Sequence, residues 1–383
     1  MEPTAKRSGW RATPRYRVLL ATALLGAGTV AGPALTGTGP AAAAAIPGSA
    51  WLLADRPATA SYPPAHQGTT AQNAADSTVT RTAAGRYVVR LPKLGVGAGM
   101  VFVTATGPGN AYCKPGGWGP DGATQTVSVY CFTPNGSYAD SRFTLTYTNP
   151  KLSSSDEYGY VWASQPTAAE YVESGPYQAN SKGGKNRIRR VGTGEYDVEM
   201  TSLGGDPEGN IQINAYGSGA ARCKSPWWGP DGTTQKIRVR CHGPSGQLVD
   251  TMFTAAYFSG TAHAVVPAEY SGYAPATAYV WAEKASEPFY APDARYARDS
   301  MGGDATVKRF GAGDYRVAYV DSYGGPWAIR SAHVTAHGPG PEYCKLDRAE
   351  RIDNVTISCF NAGGAAVDSR FTASMVGQDV YVR

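Results

Sequence analysis

Repetition is the feature that most constrains this chain: three stretches carry the same short motifs in the same order. WLLA at Trp51–Ala54 and YVWA at Tyr160–Ala163 and Tyr279–Ala282 open them. A Gly-x-Tyr-x-Val motif follows at Gly85–Val89, Gly194–Val198 and Gly313–Val317. Then come VTATG at Val103–Gly107, INAYG at Ile213–Gly217 and VTAHG at Val334–Gly338, each leading to a Cys-Lys pair at Cys113, Cys223 or Cys344. Second cysteines stand at Cys131, Cys241 and Cys359, and DSRFT, DTMFT and DSRFT close the copies from Asp140, Asp250 and Asp368. The spacing, roughly 110–120 residues, exceeds a solenoid unit of about 20–50 and matches a complete small domain. It predicts modules at 46–149, 158–259 and 277–383, strung like beads through polar linkers at 149–159 and 259–277. The second linker is longer and holds Pro267 and Pro275, which sets the last two modules further apart.

Within each copy apolar residues alternate with polar ones, the period of a half-buried strand. Val127, Val129 and Cys131 share a face, as do Ile237, Val239 and Cys241, and Val355, Ile357 and Cys359. Turn sequences such as Pro134-Asn135-Gly136 and Pro244-Ser245-Gly246 separate the runs, and no amphipathic helix stands out. The expected fold is all-β: three tandem antiparallel β-sandwich modules, immunoglobulin-like or jelly-roll-like, each with one internal disulfide. Charged residues are 17% and aromatics 11%, a composition that excludes a disordered chain.

The net charge of +5 invites a polyanion-binding reading, but it is concentrated at the amino end. Lys6, Arg7, Arg11, Arg15 and Arg17 face only Glu2 there, which leaves the remainder nearly neutral. This basic stretch precedes the apolar run Val18–Leu25 and a small-residue exit at Ala41–Ala45. The three together describe a signal peptide at 1–45, removed on export. The mature chain is therefore expected to be extracellular, monomeric and without a membrane anchor.

Export favours oxidised cysteines. The repeat plan pairs them as Cys113–Cys131, Cys223–Cys241 and Cys344–Cys359. Zinc is the competing use, but no Cys-x-x-Cys pair occurs and no His accompanies the cysteines. No metal or cofactor is expected. His333 and His337 are spaced like a ligand pair, yet along a strand four residues span about 13 Å, and they are expected on a surface face. The recurring Asp140, Asp250 and Asp368, and Asp121 and Asp231 in the WGPDG motifs, have the chemistry of turns. Arg81, Arg190 and Arg309 are expected to pack on the following Tyr or to bond turn carbonyls. No nucleophile elbow, zinc-protease helix or phosphate loop is found, so no catalytic residue is assigned.

Two groups remain as binding candidates. Lys236, Arg238 and Arg240, with Arg187 and Arg189, form a basic face, but Glu195, Asp197 and Glu199 on the adjoining strand are expected to neutralise it. Nucleic acid is accordingly not an expected partner. Trp118, Trp227 and Trp228 fall in or beside the WGPDG motifs, read as loops, where a planar indole can stack on a sugar. The third copy has Lys345–Arg351 in their place.

These motifs together resemble a repeat of secreted actinobacterial proteins of uncharacterised function, over nearly all of the mature chain. The resemblance implies export and a repeated domain, and it implies no activity. The expected function is a secreted, non-enzymatic, multi-module protein binding an extracellular glycan through loop aromatics. A protein-binding or inhibitor module is the alternative and a hydrolase the weaker one.

Overall fold

The computed structural model describes residues 48–149, 157–205, 208–260, 277–300, 302–320, 328–348 and 354–378. The leader expected at 1–45 and most of both linkers, 150–156 and 261–276, lie outside the described residues. The described chain is all strand and turn, apart from one 3₁₀ turn at Ala294–Tyr296. No helix among the described residues is long and apolar enough to cross a membrane.

In the first third of the chain a four-stranded sheet runs in the order Gln67–Thr69, Gly48–Ala54, Arg142–Asn149, Met100–Thr106. It packs on a five-stranded sheet in the order Ser61–Tyr62, Thr78–Ala83, Arg86–Leu91, Thr124–Phe132, Tyr112–Asp121. Leu52, Val103, Phe143 and Leu145 from one layer meet Tyr87, Val89, Val127 and Val129 from the other. The alternation is visible in Thr124–Phe132, where Val127, Val129 and Cys131 are fully buried and Thr126, Ser128 and Tyr130 only half so. The same strand order recurs in the second sheet pair, with Phe253–Ser259 and Thr234–His242 in the corresponding places, and its five-strand run continues through a Ser225–His337 pairing into the four-strand run of the third as one nine-stranded sheet. It recurs again in the third, with Arg370–Gln378 and Asn354–Phe360 there.

The disulfides are Cys113–Cys131, Cys223–Cys241 and Cys344–Cys359. Each joins residues directly opposite one another on neighbouring strands of the five-stranded layer. Closing loops of this size contributes about 3 kcal/mol apiece.

The beads-on-a-string expectation is corrected by the packing, because the described residues of all three copies form one compact unit. The four-stranded sheets are buried on both faces: Met100–Thr106 and Phe253–Ser259 have no exposed residue. Their inner faces cover their own cores. Their outer faces meet in a shared cluster of Met100, Phe102, Tyr158, Tyr160, Ala256, Phe258, Tyr279 and Val376, drawn from all three sheet pairs.

That shared centre also overturns the surface placement of His333 and His337, which are only 3% and 5% exposed. His333 lies between Thr104 Oγ1 (3.2 Å from Nδ1) and Thr146 Oγ1 (2.8 Å from Nε2) of the first sheet pair. His337 packs against Trp228 of the second. A face that reads as solvent-facing from one strand is covered by a neighbouring copy.

Candidate functional site

The cysteine strands build the site. Tyr112–Asp121 and Tyr343–Arg348 are the edge strands of five-stranded sheets; Arg222–Asp231 holds the same place in the second copy, but Ser225 pairs in parallel with His337 and joins it to Ala328–His337 of the third. With the cysteine turned to its own core, the residues on either side of it point the other way. These are Tyr112 and Lys114, Arg222 and Lys224, and Tyr343 and Lys345, all buried at the centre of the molecule.

Contacts around that centre form a closed cycle. Gly217 N donates to Pro115 O at 3.1 Å, Gly338 N to Ser225 O at 2.9 Å and Gly107 N to Asp347 O at 3.0 Å. The side chains repeat the pattern. Asn214 accepts from Val103 N at 2.9 Å, Thr335 Oγ1 from Ile213 N at 2.9 Å and Thr104 Oγ1 from Val334 N at 3.5 Å. Second therefore meets first, third meets second, and first meets third.

A cavity of about 60 Å³ lies inside the cycle, lined by Lys114, Arg222, Lys224, His242, Glu342 and Lys345 among others. Its cations have unequal partners. Lys345 Nζ donates to the carbonyls of Gly107, Pro108 and Gly109, and burial pulls its amine down to about 8. Lys224 Nζ donates to Glu342 Oε2 at 2.9 Å; burial lowers its pKa and the carboxylate opposes that. Lys114 is 2% exposed, its Nζ has no hydrogen-bond partner, and burial brings its amine down to about 7. The Arg222 guanidinium sits over the rings of Tyr112 (4.8 Å) and Tyr343 (4.4 Å). Its Nη2 reaches Pro244 O and Ala362 O, while Nε and Nη1 are buried without partners. His242 bonds Gly246 O through Nδ1 and leaves Nε2 unpartnered. Chemically, the cavity presents buried N–H donors and a surplus of positive charge over the one carboxylate of Glu342.

The three tryptophans singled out from sequence are placed elsewhere and not together. WGPDG is not a Pro-led loop: Trp118–Asp121 and Trp228–Asp231 are strand, and the hairpins turn at Gly122 and Gly232, both with positive φ. Pro120 is tolerated because its strand is a sheet edge, and Pro230 because its strand meets the neighbouring Ala328–His337 at Ser225 and not at the proline. Trp118 packs edge-on against Trp162, Tyr177 and Tyr216 of the second sheet pair, with centroids 5.4–6.1 Å apart. Trp228 packs against Trp281, Tyr296 and His337 of the third at 5.1–5.8 Å. Each fills a joint between copies. Only Trp227 is exposed, at 41%, with Arg238 5.8 Å from its ring centroid.

The basic face is self-neutralised. Asp197 accepts from Arg189 at 2.6 Å and Arg238 at 2.5 Å, Glu195 from Arg240 at 2.5 Å, and Arg187 pairs with Glu170 at 3.1 Å.

The recurrent Asp and Arg residues prove to be partners, which sequence reasoning missed. Asp250 accepts from Arg190 Nε (3.0 Å) and Nη2 (2.8 Å), from Gly194 N (2.8 Å) and from Tyr196 Oη (3.0 Å). Asp140 and Asp368 repeat this with Arg81, Gly85 and Tyr87, and with Arg309, Gly313 and Tyr315. The glycine is required: its φ is +64°, +67° and +69° in the three places, and a Cβ would meet the carbonyl of Cys131, Cys241 or Cys359 within 3 Å. The available signal was the nearly constant separation of 59, 60 and 59 residues between Arg and Asp. The Arg190 guanidinium holds the Asp250 carboxyl below its ordinary range. Asp250→Ala removes four bonds and leaves partly buried donors unpaired, so it should cost about 2–3 kcal/mol. Urea unfolding measures this, and a loss under about 0.5 kcal/mol, typical of an ordinary surface change, would contradict the clasp.

No group of three or more His, Cys, Asp or Glu among the described residues could hold a metal ion. Comparison with protein families, with curated proteins and with solved structures found no match to this chain.

Proposed function

We propose that this chain is a secreted, non-enzymatic binding protein. In this reading three copies of one β-sandwich module, at 46–149, 158–259 and 277–383, close into a ring that takes one ligand at its centre. The repeated strand order and the matching cysteine pairs support the three-module plan. The modules share the two-layer antiparallel arrangement of immunoglobulin-like and jelly-roll-like domains. Their disulfide lies within one sheet, unlike the inter-sheet bridge of antibody domains. Disulfides suit an oxidising, extracellular setting. A non-enzymatic role is supported by the recurrent carboxylates, whose lone pairs are taken up by the Arg, Gly and Tyr donors around them.

The observation that carries the ligand reading is the imbalance of charge in the central cavity, where Lys114, Arg222, Lys224 and Lys345 face the single carboxylate of Glu342. A ligand bearing an acidic group fits that imbalance, whether the group belongs to a glycan or to a protein. Titration calorimetry of the mature protein against matched acidic and neutral oligosaccharides and peptides is the test. The expected result is one acidic ligand per chain; three equivalent sites, or preference for the neutral series, would overturn it. A second reading, glycan stacking on an exposed aromatic, rests on Trp227, the one exposed member of the tryptophan set. Trp227→Ala should then abolish binding of neutral glycans without moving the melt.

A further inference from the structure

The three lysines that follow the first cysteines occupy one position in three copies and all line the central cavity, where Lys224 and Lys345 bond across a joint to the next copy. Lys224 finds Glu342 there, two residues before Cys344. The equivalent place two residues before Cys223 is held by Ala221, which lines the cavity with Lys114, and the one before Cys113 by Ala111. Lys345 compensates with the three carbonyls of the Gly107–Gly109 turn. Lys114 has neither solution: its Nζ is buried without a hydrogen-bond partner, with only the Phe132 ring centroid at 5.9 Å. Ala221 is itself buried, at 8% exposure, and both residues line the central cavity.

We propose that Lys114 is the seat for a carboxylate from outside the chain, which takes beside Ala221 the place that Glu342 takes beside Lys224. The inference rests on the central cavity being the binding site and adds the class of ligand and the residue that holds it. A buried ammonium without a partner is costly, whereas a charge-assisted bond to a carboxylate is among the stronger polar contacts. The size fits as well. A cavity of about 60 Å³ has room for roughly four groups the size of a water molecule, the heavy-atom count of acetate. A sugar ring does not fit, so an acidic sugar could enter only by its carboxylate. Aspartate or glutamate carboxylates offered by another protein present the same group, but on a backbone larger than a space of about 60 Å³ holds.

The test uses the mature full-length protein, sodium acetate and a uronate-terminated disaccharide as probes, and chloride at equal ionic strength as the control. Affinity is read by calorimetry and thermal shift. The expected result is saturable binding of one carboxylate per chain, seen as a rise in Tm that chloride does not give. Lys114→Met should weaken binding about tenfold or more, as expected for loss of a buried charged partner. Ala221→Glu builds the Glu342 arrangement into the first joint. It should raise the Tm of the unliganded protein and abolish the acetate response, and it keeps the test open if Lys114→Met does not fold. Acetate binding identifies a free small carboxylate as sufficient; binding of the uronate alone identifies a glycan as the carrier. Either supports the proposal when Ala221→Glu removes it. Binding of neither probe overturns it, as does a response that survives in Ala221→Glu. An acidic ligand still taken up one per chain by Ala221→Glu would leave the central-cavity reading standing and remove Lys114 from it.

Discussion

A chain ending at Gly260 will fail to fold as a stable monomer, although it retains two complete sheet pairs. The cut removes Tyr279 and Val376 from the shared cluster and uncovers parts of Met100, Phe102, Tyr158 and Phe258. It also breaks two of the three joints. Thr335 no longer caps Ile213, Val334 no longer meets Thr104, and Asn210 loses its bond to Val280 O. Thr144 loses the carbonyl of Ala332, and Thr146 loses Ser331 and His333. Each large apolar side chain returned to water forfeits about 1.5–3 kcal/mol, and each buried polar group left unpaired costs about 1–3 kcal/mol. A handful of such losses matches the whole stability of an ordinary domain, about 5–15 kcal/mol. Size-exclusion chromatography should show association or aggregation, and the melt should broaden or vanish. A monomeric fragment with a sharp melt near that of the full chain would restore independent beads.

The same residues explain what was legible in the sequence. Val127, Val129 and Cys131 announced a strand with one buried face because period two depends only on the chain itself. The cysteine pairing was legible for a related reason, since repetition leaves one partner per copy. The closed cycle was not. Thr104, Thr144 and Thr146 are polar and β-branched, as solvent-facing strand positions usually are, yet they are at most 5% exposed. Their hydroxyls bond across joints, and a bond to a residue some 190 positions away leaves no local trace.

The site was legible only in pieces. Lys114 stands next to Cys113, so alternation turns it away from its own core; nothing in the period says that another copy waits there. Trp118 and Trp228 were recognised as unusual, but their partners Trp162 and Trp281 belong to the following copy, and a tryptophan that fills a joint reads like one that offers a platform. The Asp–Arg–Gly–Tyr clasp was legible in principle. Its four members recur at nearly constant offsets, and the pairing was hidden by weighing Arg190 and Asp250 separately.

Between pH 6.5 and 4.5 the protein should lose about 5 kcal/mol of stability through two histidines, at about 1.4 kcal/mol per pH unit for each. Burial holds His333 down to about 3, with only hydroxyls as hydrogen-bond partners. His337 is also brought down to about 3, by burial first and then by Arg370 and Lys224. In the unfolded chain both titrate near the ordinary value of about 6.5. The folded pKa is therefore the lower one, and acid drives protons onto the unfolded state first. The stability conferred by burying neutral imidazoles is complete above pH 6.5 and drains away as pH falls toward 3. Stopping at pH 4.5 stays above the window of Asp140, Asp250 and Asp368, whose depressed carboxyls act below their ordinary value of 3.8. The chain supplies its own non-titrating replacements, because Gln212 and Tyr216 hold the corresponding places in the second copy. His333→Gln combined with His337→Tyr should remove their share of the pH dependence of urea unfolding over this range, leaving that of His242, whose imidazole pKa burial also lowers. Equal slopes in the double variant and the parent would mean that the imidazoles take up protons without opening the joints they fill. Because His333 bridges the third sheet pair to the first and His337 the third to the second, acid should act first on the joints that hold the third copy in the ring.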